Sequence, residues 1–423
     1  MSIIRVAAGA LGGLALLAAT AVQAQAQMAS VEAPAARVTA DLQVLAADSL
    51  EGRGVGTAGL DAAAAYIARA FEESGLAPAG NEGYYQVFEI SPTAPGVAHT
   101  NLGGSVVKNV VGVLEGRGSL ADEVVVIGAH YDHLGYGGGF SLDPDSAGVV
   151  HNGADDNGSG TAALLEAARI LGARTDTEQR TIVFIAFTAE ELGTIGSQYY
   201  AANPTHPGDR TYAMVNMDMV GRLQNDSLIV IGVGSAPELP GIIDSLNQNY
   251  GFVLSSQEDP WGRSDHSSFY AHQIPVVHLF TNVHEDYHRT TDDWEKINVE
   301  GVAKIARFAA DLTWTLAQRG DILTYVEVPK PAPPQQGGRR ASLGTIPDMT
   351  DSPGGVRLTG VRSESAADEA GLRAGDIIVQ IGDHEVKDLM GLQQALMAHQ
   401  GGDVVTIVFL RDGERMETTA TLR

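Results

Sequence analysis

The stretch AFTAEELGTIGS, Ala186 to Ser197, sets two glutamates side by side just after the apolar run Thr181 to Phe187. Neighbours on an extended chain point in opposite directions, so Glu190 and Glu191 can serve two different atoms. One carboxylate can hold a cation while the other moves a proton. AHYDHLG, after the run Val124 to Gly128, carries His130 and Asp132 on one side of an extended segment. A carboxylate there can hold the second ring nitrogen of the histidine and fix its tautomer for metal binding. GADDNGSG puts Asp155 and Asp156 on a glycine-rich turn into a helical pattern, where a helix N-terminus favours an anion and a plain N-cap is the bland alternative. NMDMVG leaves Asp218 among apolar residues, a costly position without a partner or a metal. HLFTNVHEDYHRTTDDW supplies His284, Asp286, Tyr287, His288 and Asp292 after the run Val276 to Phe280.

Each stretch follows a separate strand candidate, so parallel strands would gather them at one edge of a sheet. His130, Asp156, Glu191, Asp218 and His288 are nitrogen and oxygen ligands, in a number suited to two divalent ions bridged by one carboxylate. Zinc pairs of this kind lie about 3.5 to 4 Å apart and activate a shared water, and cobalt or manganese can use the same ligands. Glu190 would then accept the proton of that water and pass it to the leaving group. His284, Glu285 and His288 also spell H-E-x-x-H, a zinc motif only on a helix. No helical apolar face surrounds them, which argues against that reading.

The elements that must position these residues are legible in outline. Val38 to Ala47 and Gly59 to Ser74 carry helical spacing, as do Thr161 to Gly172, Gly241 to Tyr250 and Val299 to Gln318. They alternate with the strand runs Val124 to Gly128, Thr181 to Phe187, Leu228 to Val233 and Val276 to Phe280. This order predicts an α/β three-layer sandwich with a mainly parallel, buried sheet over residues 27–325. A Pro/Gln/Gly-rich linker over 326–340 precedes a small domain over 341–423, with strands at Val356 to Gly360, Asp376 to Ile381 and Val404 to Leu410 and a helix at Leu389 to His399.

Residues 1–26 join Arg5 to an apolar stretch ending in small residues, the layout of a signal peptide. The expectation is an exported, periplasmic or secreted protein with no stable membrane anchor once the leader is cut. The absence of cysteine excludes disulfides, thiolate ligands and a cysteine nucleophile. A formal charge of -25 repels phosphate backbones, so no nucleic-acid partner is expected.

The ordered set AHYDHLG, NGADDNGSG, AEELGTIGS, NMDMVG and DYHRTTD, with the opening LAADSLEGRGVGTAG, resembles the M28 family of co-catalytic zinc peptidases over about Val38 to Ala317. The resemblance implies the zinc exopeptidase fold, with His130 and Asp218 on one zinc, Glu191 and His288 on the other, and Asp156 between them. Counting back from Gly158-Ser159-Gly160 selects Asp156 over Asp155. Glu190 would be the general base, Asp132 the partner of His130, and Tyr287 the group that polarises the scissile carbonyl. The related glutaminyl cyclases resemble single-zinc enzymes without the first histidine, whereas His130 is present here, and the GADDNGSG turn favours M28 over the M20 peptidases. The interval from Phe88 to His130 leaves no room for the protease-associated domain that many members insert.

The C-terminal piece, with SLGTIPD and VRSESAADEAGLRAGDIIVQIGDHEV, resembles a bacterial PDZ domain. That implies peptides or C-terminal tails as partners, added as a strand with the carboxylate on backbone N–H groups. The bland alternative is a domain that only shields the catalytic unit. A dizinc aminopeptidase is the leading expectation, because an acidic metal cluster attracts a free amine. A carboxypeptidase or dipeptidase would need a cation for the terminal carboxylate, for which Arg222, Arg263 and Arg289 are candidates. A non-catalytic PDZ scaffold is the reading from another class. The insert Gly135 to Gly153 is either a mobile rim or a long loop.

Overall fold

The computed structural model describes residues 34–423 except 98–99, 139, 144–145, 147, 175–177, 207–209, 331–340 and 351–353. The expected leader and residues 331–340 of the linker lie outside the described residues. Among the described residues, no helix is long and apolar enough to cross a membrane.

The apolar runs become strands buried on both faces. β4 (Val124–His130) and β5 (Thr181–Phe187) are buried at every position. β4 lies parallel between β5 and β6 (Thr211–Met217), and β9 (Val276–Phe280) is parallel to β6. On the β5 side follow antiparallel β3 (Val106–Leu114) and, on it, β1 (Ala77–Pro78) and β2 (Tyr85–Glu89). On the other side β7 (Ser227–Ile231) is antiparallel to β9, and β8 (Val253–Gln257) is parallel to β7. The order is β1-β3-β5-β4-β6-β9-β7-β8. The sequence pattern does not announce β2, β3 and β8. Lys108 and Asn109 interrupt the run of β3, and β8 is nowhere fully buried, so neither reads as a core strand.

Successive strand residues face opposite layers. Val125, Ile127, Phe184 and Ala186 pack with α1 (34–45), α2 (Ala58–Glu73), α3 (Gly160–Gly172), α5 (Leu239–Asn247) and α7 (Val299–Gln318). Val126, Val183, Ile185 and Phe187 pack with Tyr200 of α4 (Ile195–Ala202) and Phe269 of α6 (His266–Tyr270). The result is the expected three-layer sandwich. Helix α2 starts where Thr57 accepts the Leu60 N–H, and α7 where Asn298 accepts the Gly301 N–H, both side-chain caps. Along α7, Val302, Ile305, Ala309, Leu312 and Leu316 form one buried stripe, and each fully buried aliphatic chain contributes up to about 1.5–3 kcal/mol.

The C-terminal unit has its own core around Leu358, Ile378, Ile381, Leu396, Ile407 and Phe409. Its strands are β10 (Thr345–Pro347), β11 (Val356–Val361), β12 (Ile377–Ile381), β13 (His384–Glu385), β14 (Val404–Arg411) and β15 (Glu414–Thr421), in the antiparallel order β10-β11-β12-β14-β15 with β13 on β12. Helices α8 (Ala366–Glu369) and α9 (Leu389–Met397) complete it. The residues before the undescribed part of the linker lie against the first unit: Trp261 Nε1 donates to Val328 O and Tyr270 Oη to Val326 O, at 2.8 and 2.9 Å.

Arg53, in the LEGRG stretch, is fully buried and binds three separate segments. It donates to Tyr131 O, Asn152 O and Gly153 O at 2.7, 2.7 and 2.8 Å, and also to Leu45 O at the end of α1. Burial lowers its pKa to about 10, so it stays charged at neutral pH. Replacing it by methionine leaves those carbonyls without donors in a dry site. Arg53→Met is expected to lower the unfolding free energy by about 3 kcal/mol or more in urea denaturation, and a loss under about 1 kcal/mol would contradict this role.

Candidate active site

His130 is the last residue of β4, paired with Phe187, the last residue of β5. Glu190 and Glu191 follow β5 by three and four residues, and Asp218 follows β6 directly. Parallel strands therefore carry all of them to one edge. His130 Nε2 lies 3.4 Å from Asp156 Oδ1, 3.4 Å from Asp218 Oδ1 and 4.0 Å from Glu190 Oε2. His288 Nε2 lies 3.1 Å from Asp156 Oδ2 and 3.2 Å from Glu191 Oε2. Asp156 thus faces a His130/Asp218 side and a Glu191/His288 side with its two oxygens. The structure brings together every residue that the sequence singled out for metal.

One residue of this cluster was not singled out. His133 is buried, and its Nδ1–H donates to Glu191 Oε1 at 2.7 Å and lies 4.0 Å from Asp156 Oδ2. Ligand atoms of His133, Asp156 and Glu191 approach one another as closely as those of His130, Asp156 and Asp218 do. The second histidine of AHYDHLG was the available signal.

Charge decides what the pocket can hold. Burial works to lower the His130 pKa, yet the Asp218 and Glu190 carboxylates more than offset it and hold it well above its ordinary value. His288 likewise rises to about 11 against burial, chiefly through Glu191. Glu190 is held well above the carboxylate range, first by burial and then by the surrounding carboxylates. His130 Nε2, His133 Nε2 and Asp218 Oδ1 are buried and make no hydrogen bond. Unsatisfied nitrogen and oxygen lone pairs converging in a dry pocket fit divalent cations, and the sulfur-free set suits zinc, cobalt or manganese. Without a cation, the raised His130 and His288 and the raised Glu190 are what relieve the repulsion among the carboxylates.

The surrounding groups fix this geometry. Asp132, expected as the partner of His130, stands 3.8 Å from Nδ1, which meets instead the backbone O of Asp132 at 3.2 Å. The Asp132 carboxylate accepts the N–H groups of Glu190 and Glu191 at 3.0 and 3.3 Å, and so clamps the turn that aims both glutamates. Asp155 faces away: its Oδ1 accepts from Gly221 N–H at 2.6 Å, and its Oδ2 lies 3.0 Å from His284 Nε2. Asp292 Oδ2 accepts the N–H groups of Asp155 and Asp156, and its Oδ1 accepts from Arg222 at 3.0 Å. Gly153 takes φ +54, and a Cβ there would stand 2.4 Å from the His133 ring, so the turn before Asp155 needs glycine. Ser264 Oγ donates to Asp218 Oδ2 at 2.7 Å and accepts from Asn216 Nδ2 at 2.8 Å. Beside it Asp265 is fully buried with no hydrogen bond at either oxygen, and burial pushes it up to about 7.

Tyr287 stacks on His288 with ring centroids 3.9 Å apart, and burial holds its hydroxyl well above the phenol range, so it remains a donor. The insert Gly135 to Gly153 is not a detached rim where it is described. Phe140 O accepts from His288 Nδ1 at 2.9 Å, which turns Nε2 toward Asp156 and Glu191, and Asp143 accepts from Thr290 N–H at 3.0 Å. Residues 281–288 form no helix, and His284 reaches Asp155 rather than the metal cluster, so the H-E-x-x-H spelling has no metal geometry here.

Residues 109–313 match the family profile described as Peptidase family M28, and residues 341–422 match that of the PDZ domain. The chain carries an M28 peptidase domain followed by a PDZ domain. It is 28% identical over 227 residues to leucine aminopeptidase 1 of Uncinocarpus reesii (strain UAMH 1704), covering 49% of this chain and 54% of that protein. It is 34% identical over 188 residues to aminopeptidase YwaD of Bacillus subtilis (strain 168), covering 36% and 38%. The chain thus spans about half or less of the length of these curated relatives. Among solved structures, BSAP, a zinc aminopeptidase from Bacillus subtilis, superposes with TM-score 0.54 at 18% identity, covering 67% of this chain and 95% of that one. Glutaminyl cyclase from Porphyromonas gingivalis superposes with TM-score 0.53 at 20% identity, covering 66% and 96%. At these identities the likeness is one of fold, shared by a peptidase and a cyclase.

His133 donates to Glu191 Oε1 and would act through it on a cation held there. The variant His133→Ala is expected to weaken one of two metal equivalents by about 10- to 100-fold in calorimetric titration and leave the other unchanged. Two equivalents of unaltered affinity would contradict the assignment.

Proposed function

We propose that this chain is an exported, two-metal aminopeptidase that removes N-terminal residues from peptides. The observation that carries the reading is Asp156, whose two oxygens face two separate ligand groups, His130 with Asp218 and Glu191 with His133 and His288. Both terminal histidine sides being present favours a pair of ions, and the aminopeptidase names of the curated relatives favour N-terminal hydrolysis. When bound, such ions polarise a carbonyl and acidify a water.

The protein's own groups divide the remaining work. Glu190, raised well above the carboxylate range, is suited to take a proton and return it to the leaving amine. Tyr287, kept as a phenol, donates to the carbonyl oxygen of the scissile bond. The acidic surround attracts the substrate's terminal ammonium. Two of the arginines that would recommend a carboxypeptidase are engaged: Arg222 with Asp286 and Asp292, and Arg289 with Asp143. The cyclase reading, open at the level of fold, is disfavoured by His130, which completes the second ligand group.

Peptide pools incubated with the protein are expected to yield ladders shortened from the N-terminus by mass spectrometry, abolished by a chelator and restored by zinc. Ladders from the C-terminus would move the assignment to a carboxypeptidase, and cyclised N-terminal glutamine without hydrolysis to a cyclase. The variant Glu190→Gln is expected to lower kcat by about 10²- to 10⁴-fold at unchanged metal content. Near-normal turnover would remove Glu190 from proton transfer.

A further inference from the structure

Strand β10 ends its sheet and pairs with β11 alone among the described residues. Gly344 O accepts from Arg362 N–H and Asp348 N–H donates to Arg357 O, both at 2.8 Å. Backbone groups alternate sides along a strand, so Thr345 and Pro347 turn theirs to the open edge. That edge offers the Thr345 N–H and C=O and the Pro347 C=O to an added strand. The loop before it, Ser342 to Gly344 with Gly344 at φ +80, is where a PDZ domain receives a terminal carboxylate. A peptide whose carboxylate sits at that loop must run back along β10 from Thr345 toward Pro347. Its upstream residues therefore leave β10 at Asp348 and Met349.

Both of those residues hydrogen-bond to the peptidase domain. Asn282 Nδ2 donates to Asp348 Oδ1 at 2.7 Å, Met349 N–H donates to Asn282 Oδ1 at 3.1 Å, and Gln257 Nε2 donates to Met349 O at 2.5 Å. Asn282 lies on the loop that continues from β9 to Tyr287 and His288. A cleft of about 450 Å³ lies between the domains, lined by Arg222, Gln224, His284 and Glu285 on one side and by Ile346 and Thr359 on the other. The open edge of β10, read in the direction its carboxylate loop dictates, thus leads toward Asn282, on the loop that goes on to Tyr287 and His288.

We propose that one peptide spans both domains, with its C-terminal carboxylate at the Ser342 to Gly344 loop, its last residues added antiparallel to β10, and its N-terminal residue at the metal cluster. The substrates would be peptides with a free C-terminal carboxylate and a minimum length. The inference rests on the aminopeptidase reading and adds to it the class of substrate. It separates the two charged ends of the substrate, with the ammonium in the acidic pocket and the carboxylate away from it on backbone N–H groups. Anchoring one end makes engagement of the other intramolecular, so the gain lies in KM and not in kcat. Because β10 has three residues, a tripeptide is used up along it and gains nothing. Trimming of an anchored peptide must slow once the remainder no longer spans the two sites.

The test uses the full chain with zinc and needs no variant. Peptides of about three, six, nine and twelve residues share one N-terminal leucine and are made with a free or an amidated C-terminus, with leucine amide as the reference substrate. The expected result is that kcat/KM for the longer free-carboxylate peptides exceeds that of their amides by about tenfold or more, with no difference for the tripeptides. An N-acetylated tripeptide with a free carboxylate, which fills β10 without reaching the metal cluster, should compete with the long substrates and leave leucine amide hydrolysis unchanged. Equal kcat/KM for acids and amides at every length, while leucine amide is cleaved, would overturn the spanning peptide and leave the aminopeptidase standing. Activation or inhibition of leucine amide hydrolysis by the acetylated peptide would overturn it in favour of control exerted between domains. No hydrolysis of any substrate would overturn both readings.

Discussion

The structure depends on one electrostatic constraint: Asp132, Asp156, Glu190, Glu191, Asp218 and Asp265 are brought to one buried sheet edge. Two like charges 4 Å apart repel by about 4 kcal/mol even at an effective dielectric of 20, a large fraction of the stability of a domain. Such a cluster persists because cationic groups lie among the carboxylates. His130 and His288, both held above the ordinary imidazole value, stand between them, and the buried Arg53 guanidinium lies close enough to Asp132 and Asp156 to feel both. Divalent ions at the same place remove the repulsion more completely, and the unsatisfied Nε2 of His130 and Oδ1 of Asp218 are the atoms left over for them.

Rigid backbone clamps hold the ligands in place. Asp132 takes the N–H groups of both glutamates, Asp292 takes those of Asp155 and Asp156, and Phe140 orients His288 through its backbone oxygen. Each clamp joins loops from different strands, so the site is a product of the whole parallel sheet. Asp292 is in turn bound by Arg222, which also holds Asp286 on the loop carrying Tyr287 and His288. The same loop contacts the PDZ domain through Asn282, so the loop that carries Tyr287 and His288 also joins the two domains.

Much of this was legible in the sequence because buried parallel strands read as continuous apolar runs and their chemistry falls at the carboxyl ends. β4, β5 and β9, the helices α1, α2, α3, α5, α7 and α9 and the residues His130, Asp156, Glu191, Asp218 and His288 follow from helical spacing, from that rule and from the ordered motifs, whereas the short α4, α6 and α8 do not. Strands β2, β3 and β8 were hidden because antiparallel or edge strands mix polar and apolar residues. Asp132 lies 3.8 Å from His130 Nδ1 and also takes the N–H groups of Glu190 and Glu191, a second set of partners that two residues of spacing does not announce. His133, Asp265 and Ser264 were missed because pair contacts between distant segments leave no local periodicity, and the one signal was a second histidine in AHYDHLG.

The claim that the buried carboxylates are a site for two cations is tested most directly by zinc titration into chelator-stripped protein, followed by calorimetry and thermal unfolding together. Two equivalents per chain are expected, with a stabilisation of about 4 kcal/mol for each site, about 8 kcal/mol in all, when free zinc reaches a thousandfold excess over both Kd values. Binding of one equivalent or none, or saturation without any rise in Tm, would contradict it.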